Sequence, residues 1–232
     1  MKLLVSPLDP EEAKAAVEGG ADIVDVKNPK EGSLGANFPW VIAEIKSNLP
    51  RGVELSATIG DLDFKPGTAS LAAYGLARLD VDYVKAGFYG IRNEEQALEM
   101  GKALKRAISG GSRLIIAGYA DHTDIGSIDP LTLPEIARRV DAYGVMIDTA
   151  RKNGVSLFQH MKINAVENFV KESKDAGIMC ALAGSLDFDD LATLKEIQPD
   201  VVGIRGLACT NGDRNKGRIS AELVERIKSF IQ

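Results

Sequence analysis

The chain has 232 residues, 45% of them hydrophobic and 26% charged, with a formal net charge of −5. That length suits one (β/α)8 barrel, and a chain of this size buries roughly 70% or more of its unfolded surface. Acids and bases are mixed along it, which excludes the one-sided basic surface of a nucleic-acid binder; a small anionic substrate would need a local positive pocket.

Short apolar runs alternate with amphipathic stretches at a period of roughly 25 to 30 residues, the pattern of parallel βα units. The first strand is read at 3–6. A helix follows from about residue 10, with Asp9 as N-cap, Pro10 at its first position, Glu11 and Glu12 in its first turn, and Gly19-Gly20 as its stop. The second strand is 23–27, followed by a loop with Pro29, Gly32 and Gly35 and a helix at 38–48. The third strand is 54–58 with a helix at 68–78, and the fourth is 83–86 with a helix at 93–109. The fifth strand, 113–118, leads to a helix at 131–140, and the sixth, 144–148, to one at 165–175. The seventh strand is 179–183 before a helix at 188–197, and the eighth, 201–205, precedes a last helix at 221–230.

Eight βα pairs are the number that closes a barrel with a filled interior, so the expected fold is α/β, a (β/α)8 TIM barrel. The main rival, an open doubly wound sheet, would carry a GxGxxG turn after its first strand. Here that turn is Ser6-Pro7-Leu8-Asp9. With no linker, low-complexity segment or charge block, residues 1–232 are read as one catalytic domain.

Cys180 and Cys209 are the only cysteines, and neither lies in a CxxC. That excludes a disulfide framework and points to the cytoplasm. The apolar run before Ser6-Pro7 is too short for a signal sequence, and no stretch approaches the roughly 20 apolar residues that span a membrane.

In a barrel the chemistry collects at the C-terminal ends of the strands. Residues two apart on a strand share a face. Asp25 and Lys27 therefore share one face of the second strand and Val24 and Val26 the other; the charged pair should point into the barrel mouth. Lys85 holds the matching place on the fourth strand, Asp148 ends the sixth, and Lys152 follows four residues later. Burying lysine charge is expensive, and two lysines near one mouth push each other's pKa down. A neutral amine attacks a carbonyl to form a Schiff base, and a second lysine or an aspartate can shuttle protons. The plain alternative is that Asp25–Lys27 and Asp148–Lys152 are stabilising ion pairs. Lys27 and Lys85 together, on alternate strands of one barrel, favour catalysis.

Barrels often hold phosphate with the loops after strands 7 and 8. Here those loops offer Gly184-Ser185 and Gly206, where backbone N–H groups can reach an anion; the alternative is that these glycines only make tight turns. Two roles are open for Arg205, pairing with phosphate or with Asp148. The loop 210–218 is polar and basic, and is read as a solvated surface loop rather than a lid or anion-attracting rim. His122 and His160 lack metal spacing, His122 reads as a surface side chain, and Cys180 as core; Cys209 carries no mark of reactivity. Walker A, GxSxG and cysteine–histidine signatures are all missing, so no metal and no cofactor is expected. The apolar segment 38–42 is read as core, with a subunit interface as the alternative; a homo-oligomer is expected.

The start Leu3-Leu4-Val5-Ser6-Pro7, the stretch from Ala21 through Lys27 to Ala36, Tyr83-Val84-Lys85-Ala86-Gly87 and Met146-Ile147-Asp148-Thr149-Ala150 together resemble the (5-formylfuran-3-yl)methyl phosphate synthase family. The likeness runs from residue 1 to the end and is most specific around Lys27. It implies a lyase of methanofuran biosynthesis that condenses two molecules of glyceraldehyde 3-phosphate into a phosphorylated furan aldehyde, losing phosphate and water. It implies Lys27 as the Schiff-base lysine, Lys85 as the proton-transferring lysine, and Asp25, Asp148 and Lys152 as supporting polar residues. The residues by themselves give only a phosphate-binding barrel with carbonyl-active lysines. They leave open a class I aldolase on another sugar phosphate. A triose-phosphate-type isomerase fits less well, wanting a glutamate base and a histidine electrophile. A non-catalytic sugar-phosphate binder leaves the costly strand-end lysines unexplained.

Overall fold

Asp9 accepts the Glu12 N–H at 2.9 Å, and Pro10 opens the first helix, so the chain leaves its first strand and turns at once into a helix. The same device recurs: Asn93 accepts the Gln96 N–H at 2.9 Å, and Asp187 and Asp190 cap each other's backbone. The computed structural model describes residues 1–108 and 111–232. In chain order it contains β1 (Lys2–Val5), α1 (Pro10–Glu18), β2 (Ile23–Val26), α2 (Pro39–Asn48), β3 (Glu54–Asp63), α3 (Pro66–Ala77), β4 (Tyr83–Gly90) and α4 (Glu94–Ala107). Then follow β5 (Arg113–Tyr119), α5 (His122–Ile125), α6 (Leu133–Val140), β6 (Gly144–Asp148), α7 (Leu157–His160), α8 (Ile163–Asp175), β7 (Met179–Leu182), α9 (Phe188–Ile197), β8 (Val201–Ile204) and α10 (Ala221–Ile231).

The strands pair in parallel in sequence order, and β8 returns to β1, so the sheet is a closed (β/α)8 barrel. Period-two alternation divides its side chains between two cores. Val24 and Val26 of β2, Val84 and Ala86 of β4, and Val145 and Ile147 of β6 pack outward against the helices. Leu4, Ile23, Tyr83, Ile115, Ala117, Met146, Ala181 and Val201 fill the interior. Below them, Glu54 accepts Lys2 and Arg113 at 2.6 Å each and the Tyr83 hydroxyl at 2.9 Å, closing the N-terminal end with charge pairs.

The alternation of elements matches the expectation, with differences at their ends. β3 was expected to stop at 58 and β4 at 86; both run further and rise above the barrel, β3 through a register irregularity between Thr58 and Asp61. The two short helices α5 and α7 escape a periodicity reading because four residues make barely one turn. The expected end of the fourth helix at Ser109 lies outside the described residues. The segment 38–42 is core only in part: Ile42 is buried, but Phe38 and Trp40 stack on each other at the surface, 49% and 67% exposed. Among the described residues, no helix is long and apolar enough to cross a membrane.

Candidate active site

Ile23 and Asp25 face inward, and Lys27 emerges one residue past the end of β2. Lys85 faces inward from β4 and Asp148 from the end of β6. The four strand-end charges and the loop lysine Lys152 do converge; of the two pairs that sequence neighbours suggest, Asp148–Lys152 forms and Asp25–Lys27 does not. Asp25 is bound to Lys85, Nζ to Oδ2 at 2.5 Å, and not to Lys27. It also accepts the hydroxyls of Ser6 at 3.1 Å and Ser56 at 2.7 Å, so both carboxylate oxygens are satisfied. Burial raises the Asp25 pKa, but Lys85 and Lys27 outweigh it and the net shift is downward. Lys85 is 1% exposed and Asp25 fully buried.

Lys27 stands above that pair. Its Nζ lies 3.8 Å from Asp148 Oδ2 and makes no hydrogen bond among the described residues. Burial, reinforced by the neighbouring cations Lys85 and Lys152 and opposed by Asp148 and Asp25, lowers its pKa to about 7. Lys152 reaches back to Asp148 Oδ1 at 2.5 Å and to the Thr149 hydroxyl at 3.1 Å. Burial lowers the Lys152 pKa against the pull of Asp148. Burial acts upward on Asp148 too, but Lys152 and Lys27 hold its carboxyl well below the ordinary range. Asp148 Oδ2 is buried without a hydrogen-bond partner, an acceptor left open toward the cavity.

A cavity of about 320 Å³ opens above these groups. Lys27, Asp148, Lys152, Gly184, Ser185, Asp187, Arg205, Gly206 and Arg214 are among the residues that line it. Lys85 and Asp25 do not line it, which corrects the expectation that both lysines share the open mouth. The three phosphate-cradle candidates, Gly184, Ser185 and Gly206, all line it. Gly184 has φ +116° and Ser185 φ +49°, so the chain doubles back after β7 and presents its backbone to the cavity. Among the described residues the N–H groups of Ser185, Gly206 and Leu207 meet no protein acceptor.

The roof of the other half comes from the loop between β2 and α2. Leu34 is fully buried, its N–H donating to Asp61 Oδ2 at 3.0 Å and its carbonyl accepting the Thr58 hydroxyl at 2.8 Å. Ser33 crosses the mouth to donate to the Thr149 carbonyl at 2.7 Å. Gly32 has φ +136°, and a Cβ there would sit 2.3 Å from Asp61 Oδ2, so any side chain would strain the turn and displace Asp61. Beneath this roof the fully buried Tyr119 hydroxyl donates to Asp61, and burial pushes its pKa well up.

Arg205 lines the cavity but pairs with Glu12 rather than with Asp148. Its Nη1 donates to Glu12 Oε2 and to the Ser6 carbonyl, both at 2.7 Å, and its Nε to the Arg214 carbonyl at 3.1 Å. It points back toward α1 because the buried Glu12 carboxylate is there to neutralise it. The loop 210–218 is not simply solvated, because Arg214 lines the cavity. His122 is half-buried with Nδ1 enclosed and unpartnered, rather than a free surface side chain. Cys180 is core as expected, its thiol pushed up to about 12 by burial, and burial raises Cys209 as well. Among the described residues no group of three or more His, Cys, Asp and Glu side chains could hold a metal ion.

Several contributors had no sequence signal strong enough to single them out. Ser56 and Thr58 share the inward face of β3, which period-two counting could have flagged. Asp121 accepts the N–H groups of Ala150 at 2.7 Å and Arg151 at 2.8 Å, fixing the turn that brings Lys152 over Asp148; nothing in a single aspartate after β5 foretells that.

Fold and site together define a (β/α)8-barrel enzyme with a lysine-centred cavity beneath glycine turns. Solved structures share the barrel. They include a 3-hexulose-6-phosphate synthase, at TM-score 0.67 and 15% identity over 100% of both chains. Another is a phosphoribosyl anthranilate isomerase from Thermus thermophilus, at TM-score 0.66 and 16% identity, covering 100% of this chain and 98% of that one. The chain belongs to the 4-HFC-P synthase family, whose model matches residues 3–228. Proteins named (5-formylfuran-3-yl)methyl phosphate synthase from Methanocaldococcus jannaschii and Archaeoglobus fulgidus are 50% and 51% identical to it. The first alignment covers 100% of both chains, the second 100% of this one and 99% of the other. A third from Methanococcus maripaludis strain C7 is 51% identical over 98% of each.

Proposed function

We propose that this protein condenses two molecules of glyceraldehyde 3-phosphate into (5-formylfuran-3-yl)methyl phosphate, with loss of phosphate and water, in methanofuran biosynthesis. By the bonds it breaks it is a carbon–oxygen lyase acting on phosphates. The observation that carries the reading is Lys27, an amine with pKa near 7 and no hydrogen bond, in a cavity walled on another side by free backbone N–H groups. The full-length likeness to proteins named for this product supplies the substrate and product.

Neutral Lys27 attacks the aldehyde carbon, and the carbonyl oxygen leaves as water with a proton from Lys152. The iminium nitrogen forms where Lys27 Nζ stands, 3.8 Å from Asp148 Oδ2, so Asp148 serves as its counter-charge. The iminium draws electrons from the adjacent C–H bond, and a base removes that proton. That base is the Lys85–Asp25 pair, held 2.5 Å apart below Lys27. The enamine then expels phosphate or adds to the second aldehyde, and ring closure with dehydration yields the aromatic furan. Gly184, Ser185 and Gly206 hold the retained phosphate through backbone N–H groups. Two buried, unpaired thiols support a reducing, cytoplasmic setting.

Incubating the protein with glyceraldehyde 3-phosphate tests the reading. Free phosphate and a near-ultraviolet furan absorber appearing together is the expected result. An aldol product with neither would identify a simple class I aldolase instead.

A further inference from the structure

We propose that Arg214 is the side chain that recognises the phosphate ester in this cavity, and that Arg205 and Glu12 position it. The inference rests on the sugar-phosphate chemistry proposed above and names the residue that selects the anion.

The loop that carries Arg214 is fastened at both ends. Thr210 N–H donates to the Arg218 carbonyl at 2.9 Å, and Cys209 bridges Ile219. Arg218 Nη2 pins this base to α1 through Asp9 at 2.8 Å and Glu11 at 3.1 Å. At the tip, Asp213 accepts the N–H groups of Asn215 at 2.8 Å and Lys216 at 3.0 Å. Arg214 itself is held by its backbone, its carbonyl accepting Arg205 Nε at 3.1 Å. Arg205 is locked in turn by Glu12, whose Oε2 also accepts the Leu8 N–H at 2.8 Å. A chain of contacts from the buried first turn of α1 thus sets where Arg214 stands.

The side chain is left free to face the cavity. A Cβ on Gly206 would lie 3.9 Å from Arg214 Cβ, so Arg214 begins over the turn after β8 and reaches the space walled by Gly184, Ser185 and Gly206. The other cations there are already engaged. Lys27 and Lys152 face Asp148, and Arg205 faces Glu12. Among the described residues the Arg214 guanidinium has no ion-pair or hydrogen-bond partner. Burial works against its charge, and the nearby Asp148 carboxylate works for it. A guanidinium fork fits two phosphate oxygens at once, and the N–H groups of Ser185, Gly206 and Leu207 can serve the rest. Glycine turns alone would supply dipoles without a full charge.

Two measurements test the assignment. Borohydride trapping at Lys27 is compared for glyceraldehyde 3-phosphate and for glyceraldehyde, in wild type, Arg214→Gln and Arg214→Lys. The expected result is a preference for the phosphorylated aldehyde that falls about tenfold or more in Arg214→Gln and is partly kept in Arg214→Lys. Inorganic phosphate is then titrated calorimetrically into folded wild-type and Arg214→Gln protein, a readout that needs no covalent step. Weaker phosphate binding by a similar factor is expected. An unchanged aldehyde preference, or equal phosphate affinity in the two proteins, overturns the role of Arg214. Absence of any Lys27 adduct in wild type contradicts the proposed function instead, and leaves the phosphate titration to judge Arg214.

Discussion

Two lysine–aspartate pairs stand one above the other in this barrel, and their surroundings set them to different tasks. Lys85 and Asp25 are sealed, 2.5 Å apart, with Ser6 and Ser56 completing the carboxylate. Lys27 and Asp148 are 3.8 Å apart at the cavity wall, and Asp148 gives its better contact to Lys152. A satisfied ion pair holds its shape, whereas a buried, loosely partnered amine loses its proton more readily and can act as a nucleophile. The same residue types therefore give a tightly paired floor and, in the proposed mechanism, a nucleophilic wall.

Lys27→Ala should break the contrast most deeply. Turnover and imine trapping are expected to vanish, while circular dichroism and the unfolding transition show a folded barrel; full activity in this variant would refute a covalent role. Lys85→Met attacks the floor instead. It strands a buried carboxylate, and denaturant unfolding should show a loss of about 3–5 kcal/mol, the usual effect of removing one partner of a buried pair. A variant as stable as wild type would mean that Asp25 is not held as the structure places it.

The wall should also answer to pH in a way the floor does not. The Lys27 pKa is lowered to about 7 in the folded protein against an unfolded value of about 10.4. Between those values the unfolded chain keeps a proton that the folded one has released, so the Lys27 contribution to stability rises with pH. Wild type should therefore gain stability relative to Lys27→Met between pH 7 and about 9, measured by denaturant titration at both. A constant difference would indicate an unshifted amine. Ser56→Ala has a smaller expected effect, roughly 1 kcal/mol or somewhat more, from one lost hydrogen bond to a buried carboxylate. Indistinguishable unfolding curves would count against the hydroxyl's part in holding Asp25.

The barrel was legible because parallel strands buried on both faces read as apolar runs, and period two separated Val24 and Val26 from Asp25 and Lys27. The convergence of Asp25, Lys27, Lys85 and Asp148 followed from their strand-end positions, and that of Lys152 from its place four residues past Asp148. The Asp148–Lys152 pair followed too, but the pairing of Lys85 with Asp25 and of Lys27 with Asp148 did not, because it depends on register across the barrel; Thr58 lies opposite Lys85 and Tyr119 opposite Asp148, and no local rule fixes that. The roof over β3, β4 and β5 was hidden for a similar reason. Gly32, Ser33 and Leu34 read as a turn, and only Asp61, Thr58 and Thr149, distant in sequence, make that turn a cover. The Glu12 partner of Arg205 was not legible, because Glu12 sits in a first helical turn, where an acid is already explained by the helix dipole.

Lys27, not Lys85, is the proposed nucleophile. Borohydride reduction in the presence of glyceraldehyde 3-phosphate, followed by peptide mapping, tests it directly. The predicted result is a single reduced adduct on Lys27, with a yield that climbs as pH rises through about 7. An adduct on Lys85, with Lys27 unmodified, would contradict the assignment of wall and floor.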